Sequence, residues 1–430
     1  MNHEHAARNA VRSTAPAEDG KPIRSLRVGS ILGATGFGGS QNSCAAISEA
    51  LADRGHDVTL FCQRASARFI ARPENVRMAD LPPCAILPAE RGNIRGINLL
   101  RLVAAHTQRP FDAMIVFNPI TLTLAQAFRV MTGVPVVLFL LGSDEGERYF
   151  GPFDGPIVAN SPDARQYVAE HSDHDPETVP IVEARFSVRG LERAAREPCP
   201  LLDQIPDGVK RIAVAARFNE PLKTDMIIHA IKAADVLAGR RRDFCLVIAG
   251  DGKGRSAVAA EASSTNARHK WPVAKLIGYV DNVGALFARA DVVIGQSRGL
   301  VEAMSLGKPC VNVGQRGLAG VIKPETVDQL AWNNFSGTHI ASSVPPERLA
   351  AELDRLLSDK AYADRLGQFA RQCVRDRFDA HIGAAQIEEV ILAEVEKGGL
   401  PWWRRPGQIP SLAKMGLAAA RSAASRVWGG

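Results

Sequence analysis

Short runs of apolar residues alternate with longer segments of helical pattern along most of the chain. In the first half, these runs lie at residues 26–32, 57–62, 113–117, 135–141 and 156–160. Short, nearly continuous apolar strands separated by helices are typical of a parallel sheet that is covered on both faces. We therefore predict a doubly wound α/β domain for the first half of the chain.

The same alternation begins again after a segment that interrupts the periodicity. Residues 190–209 contain three prolines and no regular apolar pattern, which indicates an interdomain linker. Apolar runs then follow at residues 211–217, 244–250, 274–280, 291–296 and 309–314. The sequence therefore predicts two doubly wound, Rossmann-like domains that face each other across a cleft. Helical patterns at 346–359 and 361–398 are predicted to close the second domain.

These patterns divide the chain into a series of segments. We predict an N-terminal tail at 1–25, a first domain at 26–195, a linker at 196–209, a second domain at 210–375, a C-terminal helix at 376–397 and a tail at 398–430. The N-terminal segment has no apolar core, so we expect a flexible polar tail rather than a signal peptide. The longest apolar run, at 134–142, is too short to span a bilayer, so we expect a cytoplasmic protein.

Basic residues and tryptophans are concentrated near the C-terminus. The chain carries a net charge of +6, and from residue 398 onward it has five basic residues, three tryptophans and no acidic residue. These residues are Arg404, Arg405, Lys414, Arg421 and Arg426, with Trp402, Trp403 and Trp428. Such a segment suits peripheral binding to the inner face of a membrane. Its apolar residues share no narrow helical face, however, so a disordered basic tail is the alternative.

The cysteines and aromatic residues argue against other kinds of site. Seven cysteines are scattered without a C-x-x-C pair, so we expect neither a metal site nor a disulfide framework. Aromatic residues make up 6% of the chain, which disfavours a stacking surface for nucleic acid. Asp173 and Asp175 have the D-x-D spacing of a metal–diphosphate motif. They lie in a polar loop that ends at a proline, so we interpret them as part of a solvated turn.

A glycine-rich loop follows the first predicted strand and precedes a helix. Gly33, Gly36, Gly38 and Gly39 lie in it, and they would let the backbone approach a ligand closely at a helix N-terminus that favours an anion. The loop is not a dinucleotide fingerprint, because Gln41 stands where the third glycine is needed, and it also lacks the lysine of a P-loop. A tight turn without a ligand is the alternative interpretation.

Two cations follow the first strand of the second domain. Arg217 lies at the end of that strand, and Lys223 follows six residues later. Ligands of doubly wound sheets bind at this carboxyl edge, and a guanidinium with an ammonium suits a diphosphate. Two solvated surface charges are the alternative interpretation.

The segment from Ser297 to Pro309 carries a further candidate. It begins just after an apolar strand, so a helix N-terminus is again predicted to face the cleft. We expect Glu302 in the first turn of that helix, where the helix dipole favours a carboxylate. One carboxylate accepts two hydrogen bonds from a vicinal diol such as a ribose. A glutamate that only caps the helix is the alternative.

Several segments of the sequence, taken together, resemble the GT-B glycosyltransferases of the retaining, family-4 (group 1) type. In the order in which that family has them, the matching segments are the glycine pair 38–39 and residues 51–61, 215–223, 246–254, 276–297 and 302–311. The resemblance implies that the second domain holds a nucleotide-sugar donor and the first an acceptor. It also implies that Arg217 and Lys223 clamp the donor diphosphate, that Glu302 binds the ribose, and that Gly38 and Gly39 line the phosphates.

The sequence departs from this family at two positions. A glutamate that the family often has eight residues before Glu302 is replaced by Ile294, so contacts to the donor sugar are expected from Ser297, Arg298 or the backbone of Gly299. A histidine that the family often has after the fourth strand of the first domain is replaced by Leu141. Asp144 and Glu145 are the nearest polar residues, and Asp144 is the candidate catalytic residue.

The resemblance implies a specific function with two alternatives. We expect transfer of a sugar from a nucleotide diphosphate sugar to an acceptor hydroxyl of a glycan or lipid-linked substrate, in cell-surface, exopolysaccharide or glycolipid synthesis, with retention at the anomeric carbon and without a metal or cofactor. A sugar-nucleotide epimerase on the same fold is one alternative. The other is a catalytically degenerate chain that acts as the binding subunit of a glycosyltransferase complex.

Overall fold

The computed structural model describes residues 24–32, 39–62, 75–80, 96–117, 121–141, 153–206, 208–219, 221–338 and 343–410. Within these ranges the chain forms two α/β domains, each built on a six-stranded sheet. The prediction of two doubly wound domains is therefore confirmed. All but the last two residues of the predicted N-terminal tail lie outside the described residues.

The first domain alternates strands and helices from its beginning. Its elements are β1 (Arg27–Ile31), α1 (Gly39–Asp53), β2 (Asp57–Cys62), β3 (Arg77–Asp80), α2 (Gly96–Gln108), β4 (Ala113–Val116), α3 (Leu122–Thr132), β5 (Val136–Leu140), β6 (Ile157–Ala159) and α4 (Pro162–His171). The strands are parallel, in the order β3-β2-β1-β4-β5-β6. Strands β4, β5 and β6 are buried at every residue, which explains why their sequences are apolar without alternation.

Helix α5 (Val188–Ala194) already belongs to the second domain, because Val188 is buried in the core of that domain. Cys199, Leu202 and Ile205 are buried in the same core, so the segment predicted as a linker at 196–209 is also part of the second domain. The elements of that domain are β7 (Lys210–Ala215), α6 (Pro221–Ala238), β8 (Phe244–Ala249), α7 (Arg255–His269), β9 (Ala274–Gly278), α8 (Val283–Ala288), β10 (Val292–Gly295), α9 (Ser297–Ser305), β11 (Cys310–Gly314), β12 (Gly317–Val321), α10 (Val327–Ala331), α11 (Pro346–Ser358) and α12 (Lys360–Cys373). The strand order is β12-β11-β10-β7-β8-β9, and β12 is antiparallel to β11. Successive residues of β7 enter different cores: Ile212 and Val214 pack with α6 and α11, and Ala213 packs with α9.

The two sheets have the same winding, which fixes where a ligand can bind. In each sheet the strand order reverses between two adjacent strands. These are β1 and β4 in the first sheet and β7 and β10 in the second. The connections that leave the carboxyl ends of such a strand pair diverge to opposite faces, and a crevice opens between them. In the second domain, this crevice is bordered by residues 216–219 after β7 and by the start of α9 after β10.

The chain crosses between the domains twice, at neighbouring places. It leaves the first domain near Val182 and enters the second at Phe186, since these residues belong to the apolar cores of different domains. On its return, the backbone N–H groups of Arg185 and Phe186 donate to the carbonyl oxygen of Phe378, and the N–H of Ala380 donates to that of Phe186. These bonds hold the two crossing segments side by side, so movement of one domain against the other has to bend both.

The last long helix, α13 (Ala380–Glu396), packs on the first domain. The prediction that residues 361–398 as a whole close the second domain is therefore wrong for this part. Ala384, Ile387 and Ile391 are buried in the core that also contains β1 and α1. The pattern of α13 marks an apolar face but does not say which sheet that face covers. Asp379 caps the start of the helix, because its carboxylate accepts a hydrogen bond from the N–H of His381, and this break redirects the chain.

Part of the predicted basic tail is also attached to the first domain. The N–H of Leu400 donates to the carbonyl oxygen of Gly133. The guanidinium of Arg405 donates to the carbonyl oxygens of Leu400, Met131 and Thr132, and it thereby satisfies the carboxyl end of α3. Residues 411–430 lie outside the described residues. Among the helices that are described, none combines the length and the apolar character that crossing a bilayer requires.

Candidate functional site

The predicted site residues fall into two groups. Gly38 and Asp144 lie outside the described residues, so their predicted roles are untested. Gly39 is the first residue of α1, and the others are Arg217, Lys223, Ser297, Arg298, Gly299 and Glu302 in the second domain. All of these described residues follow β1, β7 or β10 in the chain, the strands at which the strand order of each sheet reverses.

The loop that carries the two predicted diphosphate ligands is held by its neighbour in the sheet. Arg217 is exposed directly after β7, and Lys223 is half-buried in the first turn of α6. The N–H of Gly254 donates to the carbonyl oxygen of Phe218 at 2.7 Å, and the N–H of Lys253 donates to Oδ1 of Asn219 at 3.0 Å. The loop between β8 and α7 therefore fixes the loop on which Arg217 lies.

Glycines permit this close packing. Gly250 and Gly252 have φ values of 140° and 143°, in the region that favours glycine. A Cβ atom at Gly250 would lie 1.9 Å from the carbonyl oxygen of Ala216, and one at Gly252 would lie 2.4 Å from Oδ1 of Asn219. This segment therefore supports the loop that carries Arg217, a role that its resemblance to a family does not indicate. The signal was available, because closely spaced glycines directly follow a buried strand.

Helix α9 starts from an unusual backbone conformation. Ser297 has a φ of 46°, which is rare for residues other than glycine, and its N–H donates to the carbonyl oxygen of Phe335 at 2.9 Å. Strained positions of this kind cluster at ligand sites. The preceding residue, Gln296, is buried, and its Nε2 has no hydrogen-bond acceptor among the described residues. The N-terminal end of α9 therefore presents a polar group that a ligand oxygen would satisfy.

Glu302 does not lie where the sequence analysis placed it. It is the sixth residue of α9, and the first turn of this helix contains no acidic residue. The prediction of a first-turn position is therefore wrong, and with it falls the alternative that Glu302 only caps the helix. Its carboxylate Oε1 instead accepts a hydrogen bond of 2.6 Å from Nε of Arg298, four residues earlier. The strained start at Ser297 shortens the connection from β10, so the helix begins earlier than the pattern indicates and Glu302 lies in its second turn.

Arg298 joins the two sides of the cleft. Its Nη1 donates to Oγ of Ser43 on α1, at 3.2 Å. A Cβ atom placed on Gly39 would lie 3.4 Å from Cδ of Arg298, so the first residue of α1 faces this side chain. The structure thus brings together Gly39, Arg298 and Glu302. The contribution of Ser43 was missed, because a serine inside a helix pattern carries no signal of a contact in another domain.

A second arginine lies beside this cluster at the domain crossing. Arg185 is buried, and its guanidinium donates to the carbonyl oxygen of Glu183 and to Oδ1 of Asn334. Arg185 and Arg298 both contact the ring of Phe186, with guanidinium carbons 4.9 Å and 5.0 Å from its centroid. Burial, followed by the charge of Arg298, lowers the pKa of Arg185 to about 9, and Glu183 offsets part of this shift. The group therefore remains charged at neutral pH, at an energetic cost.

Asp175 of the D-x-D segment and the buried His56 have structural roles. Asp175 accepts a hydrogen bond from the N–H of Glu177 at the start of a short 3₁₀ turn, which agrees with the interpretation as a turn. His56 is buried, and its Nδ1 accepts a hydrogen bond from the N–H of Leu26. Across the part of the chain that the structure describes, no group of three or more His, Cys, Asp or Glu side chains is arranged to hold a metal ion.

Comparison with known protein families gives two matches that lie in different halves of the chain. Residues 204–373 match the family model of glycosyl transferases group 1, and residues 38–174 match the model of the glycosyl transferase 4-like domain. No curated protein sequence matches the chain.

Solved structures share the architecture at low sequence identity. The Anabaena protein HepE in complex with UDP has a TM-score of 0.62 at 16% identity, over 86% of this chain and 100% of that one. A glycosyltransferase from Rickettsia africae has a TM-score of 0.61 at 14% identity, over 87% and 100%. A Listeria monocytogenes structure described as a UDP-N-acetylglucosamine 2-epimerase has a TM-score of 0.55 at 16% identity, over 87% and 97%. These likenesses establish the GT-B fold and no more.

Proposed function

We propose that this chain, a glycosyltransferase with a group 1 domain in its second half, transfers a sugar from a nucleotide diphosphate sugar to an acceptor hydroxyl. One observation supports this reaction above the others. Arg217 and Lys223 follow β7, Glu302 lies on the helix that follows β10, and Gly39 at the start of α1 faces Arg298 on that same helix. This set has the groups that a nucleotide diphosphate needs, namely cations for its phosphates and a carboxylate for its ribose.

Each residue has a task in this proposal. Arg217 and Lys223 bind the diphosphate and stabilise the charge that develops on it as the sugar leaves. Glu302 accepts hydrogen bonds from the two ribose hydroxyls. Gly38 and Gly39 allow the N-terminus of α1 to approach the phosphates. Closure of the cleft would exclude water that otherwise hydrolyses the donor.

The finer points of the reaction belong to the same proposal. Contacts to the donor sugar come from Ser297, Arg298 and the backbone of Gly299, and Asp144 is the candidate catalytic group. We propose retention at the anomeric carbon and no requirement for a metal ion or a cofactor. The first domain holds the acceptor, a glycan or a lipid-linked substrate of cell-surface, exopolysaccharide or glycolipid synthesis at the cytoplasmic side of a membrane.

A membrane-bound acceptor is supported by the surface of residues 398–410. Trp402 and Trp403 are 76% and 60% exposed there, and Ile409 is also exposed. The guanidinium of Arg404 stacks on the ring of Trp403. Aromatic rings beside basic side chains are typical of surfaces that lie in the interface of a membrane. We therefore propose peripheral membrane binding through residues 398–430.

Binding to a panel of nucleotide sugars tests the donor site. The ligand that raises the melting temperature of the protein most identifies the donor class, because binding to the folded state alone stabilises it. Arg217→Ala and Lys223→Ala should each weaken binding of that nucleotide diphosphate by at least about tenfold in calorimetry, as loss of a charged hydrogen bond does. Lys232→Ala, an exposed lysine on the same helix as Lys223, is the matched control and should bind normally. Unchanged affinity in both variants would show that Arg217 and Lys223 do not bind the diphosphate.

Two other activities are distinguished by simple assays. An epimerase on this fold, which the Listeria likeness keeps under consideration, would convert the donor into an epimerised sugar nucleotide without any acceptor. A catalytically degenerate binding subunit would bind the nucleotide sugar, but the purified chain would not turn it over with any acceptor. The proposed transferase consumes donor only when an acceptor is present, apart from slow hydrolysis.

A further inference from the structure

The carboxylate that the proposed function assigns to the ribose is engaged by an arginine in the structure. Oε1 of Glu302 is 2.6 Å from Nε of Arg298, and both side chains are largely buried, with 13% and 17% of their surface exposed. A ribose that approaches Glu302 therefore has to compete with this guanidinium for the carboxylate oxygens. The ion pair is part of the site and not a feature of its rim.

When Glu302 turns away from Arg298, few negative charges remain nearby to balance the positive charge of this arginine. Arg185 is buried beside it and is held by two neutral oxygen acceptors. Glu183, whose charge acts on Arg185, already accepts two hydrogen bonds from Arg377. The N-termini of α1 and α9 add partial positive charge from both domains, because Gly39 faces Arg298 and Arg298 lies in the first turn of α9.

The end of α9 also has hydrogen-bond capacity that the described protein groups do not use. Nε2 of Gln296 is buried without an acceptor among the residues that the structure describes. Gly299 faces the strand that leads to the predicted diphosphate ligands, since a Cβ on it would lie 3.8 Å from the carbonyl oxygen of Ala215. Arg298 and Gln296 therefore flank the place where a diphosphate held by Arg217 would reach α9. The guanidinium of Arg298 and the N-terminus of α9 both favour an anion at this end of the helix.

We propose that Arg298 exchanges partners when a nucleotide binds, and that it thereby couples binding of the ribose to binding of the diphosphate. When the ribose takes Glu302, Arg298 leaves that carboxylate and binds the diphosphate of the same ligand, and the nearby charge of Arg185 increases the gain from that anion. The inference rests on the proposed function, because it uses Glu302 as the ribose ligand. A nucleoside alone has to break the ion pair without compensation, whereas a nucleoside diphosphate breaks it and supplies the replacement anion.

The ratio of two dissociation constants tests this coupling. UDP, GDP, ADP and TDP and their nucleosides are titrated into the full chain, and the best pair is then measured with Arg298→Gln. In the wild-type protein the diphosphate should bind far more tightly than its nucleoside. In Arg298→Gln this ratio should shrink by at least tenfold, because the diphosphate binds more weakly while the nucleoside binds equally well or better. Equal weakening of both ligands, or no change in either, overturns the proposal.

Two controls keep the outcome clear. Lys360→Gln removes another i,i+4 ion pair on a helix, the exposed pair with Asp364 on α12, and it should leave the ratio unchanged. Arg298→Lys retains a positive charge and should keep part of the ratio that Arg298→Gln loses. If only Arg298→Gln melts at a lower temperature, the ratio of the two dissociation constants measured with Arg298→Lys decides whether the coupling exists. Both constants are measured on folded protein, so their ratio does not depend on stability.

Inorganic pyrophosphate separates this proposal from the proposed function. Pyrophosphate should raise the melting temperature of the wild-type protein and lose this effect in Arg298→Gln. If it does so while no nucleoside diphosphate binds better than pyrophosphate, the anion site stands and the nucleotide function fails. If nucleoside diphosphates bind through Arg217 and Lys223 with no dependence on Arg298, the proposed function stands and the exchange fails.

Discussion

Nη1 of Arg298 lies 3.2 Å from Oγ of Ser43, and this hydrogen bond connects the second domain to the first. The two residues are 255 positions apart in the chain. Because the same guanidinium holds Glu302, the state of that carboxylate is coupled to a contact that spans the cleft. A ligand that draws Arg298 away therefore also changes what holds the domains together.

Glu302→Gln should weaken both nucleotide binding and the stability of the fold. Glutamine keeps the shape of the side chain and loses the charge, so the nucleotide diphosphate should bind at least about tenfold more weakly, as expected when a charged hydrogen-bond acceptor is lost. The unfolding free energy should also fall, by about 3 kcal/mol, because glutamine leaves the largely buried guanidinium of Arg298 without its counter-charge. Calorimetry and thermal unfolding measure the two effects. A large loss of stability with unchanged affinity would make Glu302 a structural residue, and Glu347→Gln on α11 controls for the charge.

His56→Ala should destabilise the first domain. Nδ1 of His56 accepts from the N–H of Leu26, so its proton is on Nε2, which donates to Oε1 of Glu388 at 2.9 Å. Removing the ring leaves a buried N–H and a buried carboxylate oxygen without partners, and the expected loss is about 2–4 kcal/mol.

The neighbouring residue on α13 provides the control for that prediction. Glu389 is exposed, so Glu389→Ala should change the unfolding free energy by less than about 0.5 kcal/mol. Urea unfolding of both variants measures the difference. If His56→Ala is as stable as Glu389→Ala, the link between α13 and the start of β1 is unimportant for stability.

Glu192 should stabilise the protein in a pH-dependent way. It lies on α5 and accepts hydrogen bonds from Arg371 at 2.7 Å and from Arg375 at 2.8 Å. The hydrogen bond from Arg371 is the main cause that holds the pKa of Glu192 below its ordinary value. A carboxylate with a lowered pKa contributes stability above its unfolded pKa, about 4.3, and loses that contribution as the pH falls through the folded value.

The matching variant is Glu192→Gln. At pH 7 it should be less stable than the wild-type protein, by less than about 1 kcal/mol because the pair is partly exposed. The difference in melting temperature should close as the pH is lowered below about 4. A difference that is constant between pH 7 and pH 3 would show that the charge of Glu192 does not stabilise the fold.

Two truncations separate membrane binding from folding. A chain that ends at Pro410 keeps the hydrogen bonds of Arg405 to the end of α3, so its melting temperature should be unchanged. It loses Lys414, Arg421 and Arg426, and its binding to phosphatidylglycerol vesicles should weaken, since each basic residue near an anionic surface contributes about 1 kcal/mol. A chain that ends at Lys397 also loses buried Leu400 and should melt at a lower temperature.

Salt and lipid composition provide the controls for vesicle binding. Added salt should weaken binding of the full chain, because the attraction is screened within a Debye length. Neutral phosphatidylcholine vesicles should bind much less. If the full chain ignores anionic vesicles at low salt, the tail is not an anchor and the acceptor does not have to be lipid-linked.

The sequence predicts those parts of the fold that depend on local pattern. Strands β4 and β5 are buried on both faces, so their sequences are continuous apolar runs that announce a parallel sheet. Because the ends of parallel strands share one edge, the positions of Arg217 and Ser297 beside the cleft follow from the strand assignment. The partner of a helix does not follow in this way, and α13 could be assigned to its sheet only from the three-dimensional structure.

The site is less predictable than the fold, for a related reason. The shift of Glu302 to the second turn of α9 depends on the left-handed backbone at Ser297, which the sequence pattern does not indicate. Arg185 lies in a crossing segment that resembles an ordinary loop, and it becomes a buried charge only because Phe378 returns alongside it. Contacts between residues far apart in the chain build this part of the site, so local spacing carries no signal for it.

The return of α13 to the first domain has a consequence during synthesis. When a ribosome has made residues 1–187, the helix that covers part of the first core is still missing, whereas residues 182–378 contain the second core without interruption. We expect the first domain, although it is synthesised first, to complete its apolar core last, after α13 emerges from the ribosome. A fragment of residues 24–187 should bind an apolar dye strongly, and a fragment of residues 182–378 should not. Equal dye binding would show that the first domain is complete without its final helix, and that the nascent chain needs no protection while it waits.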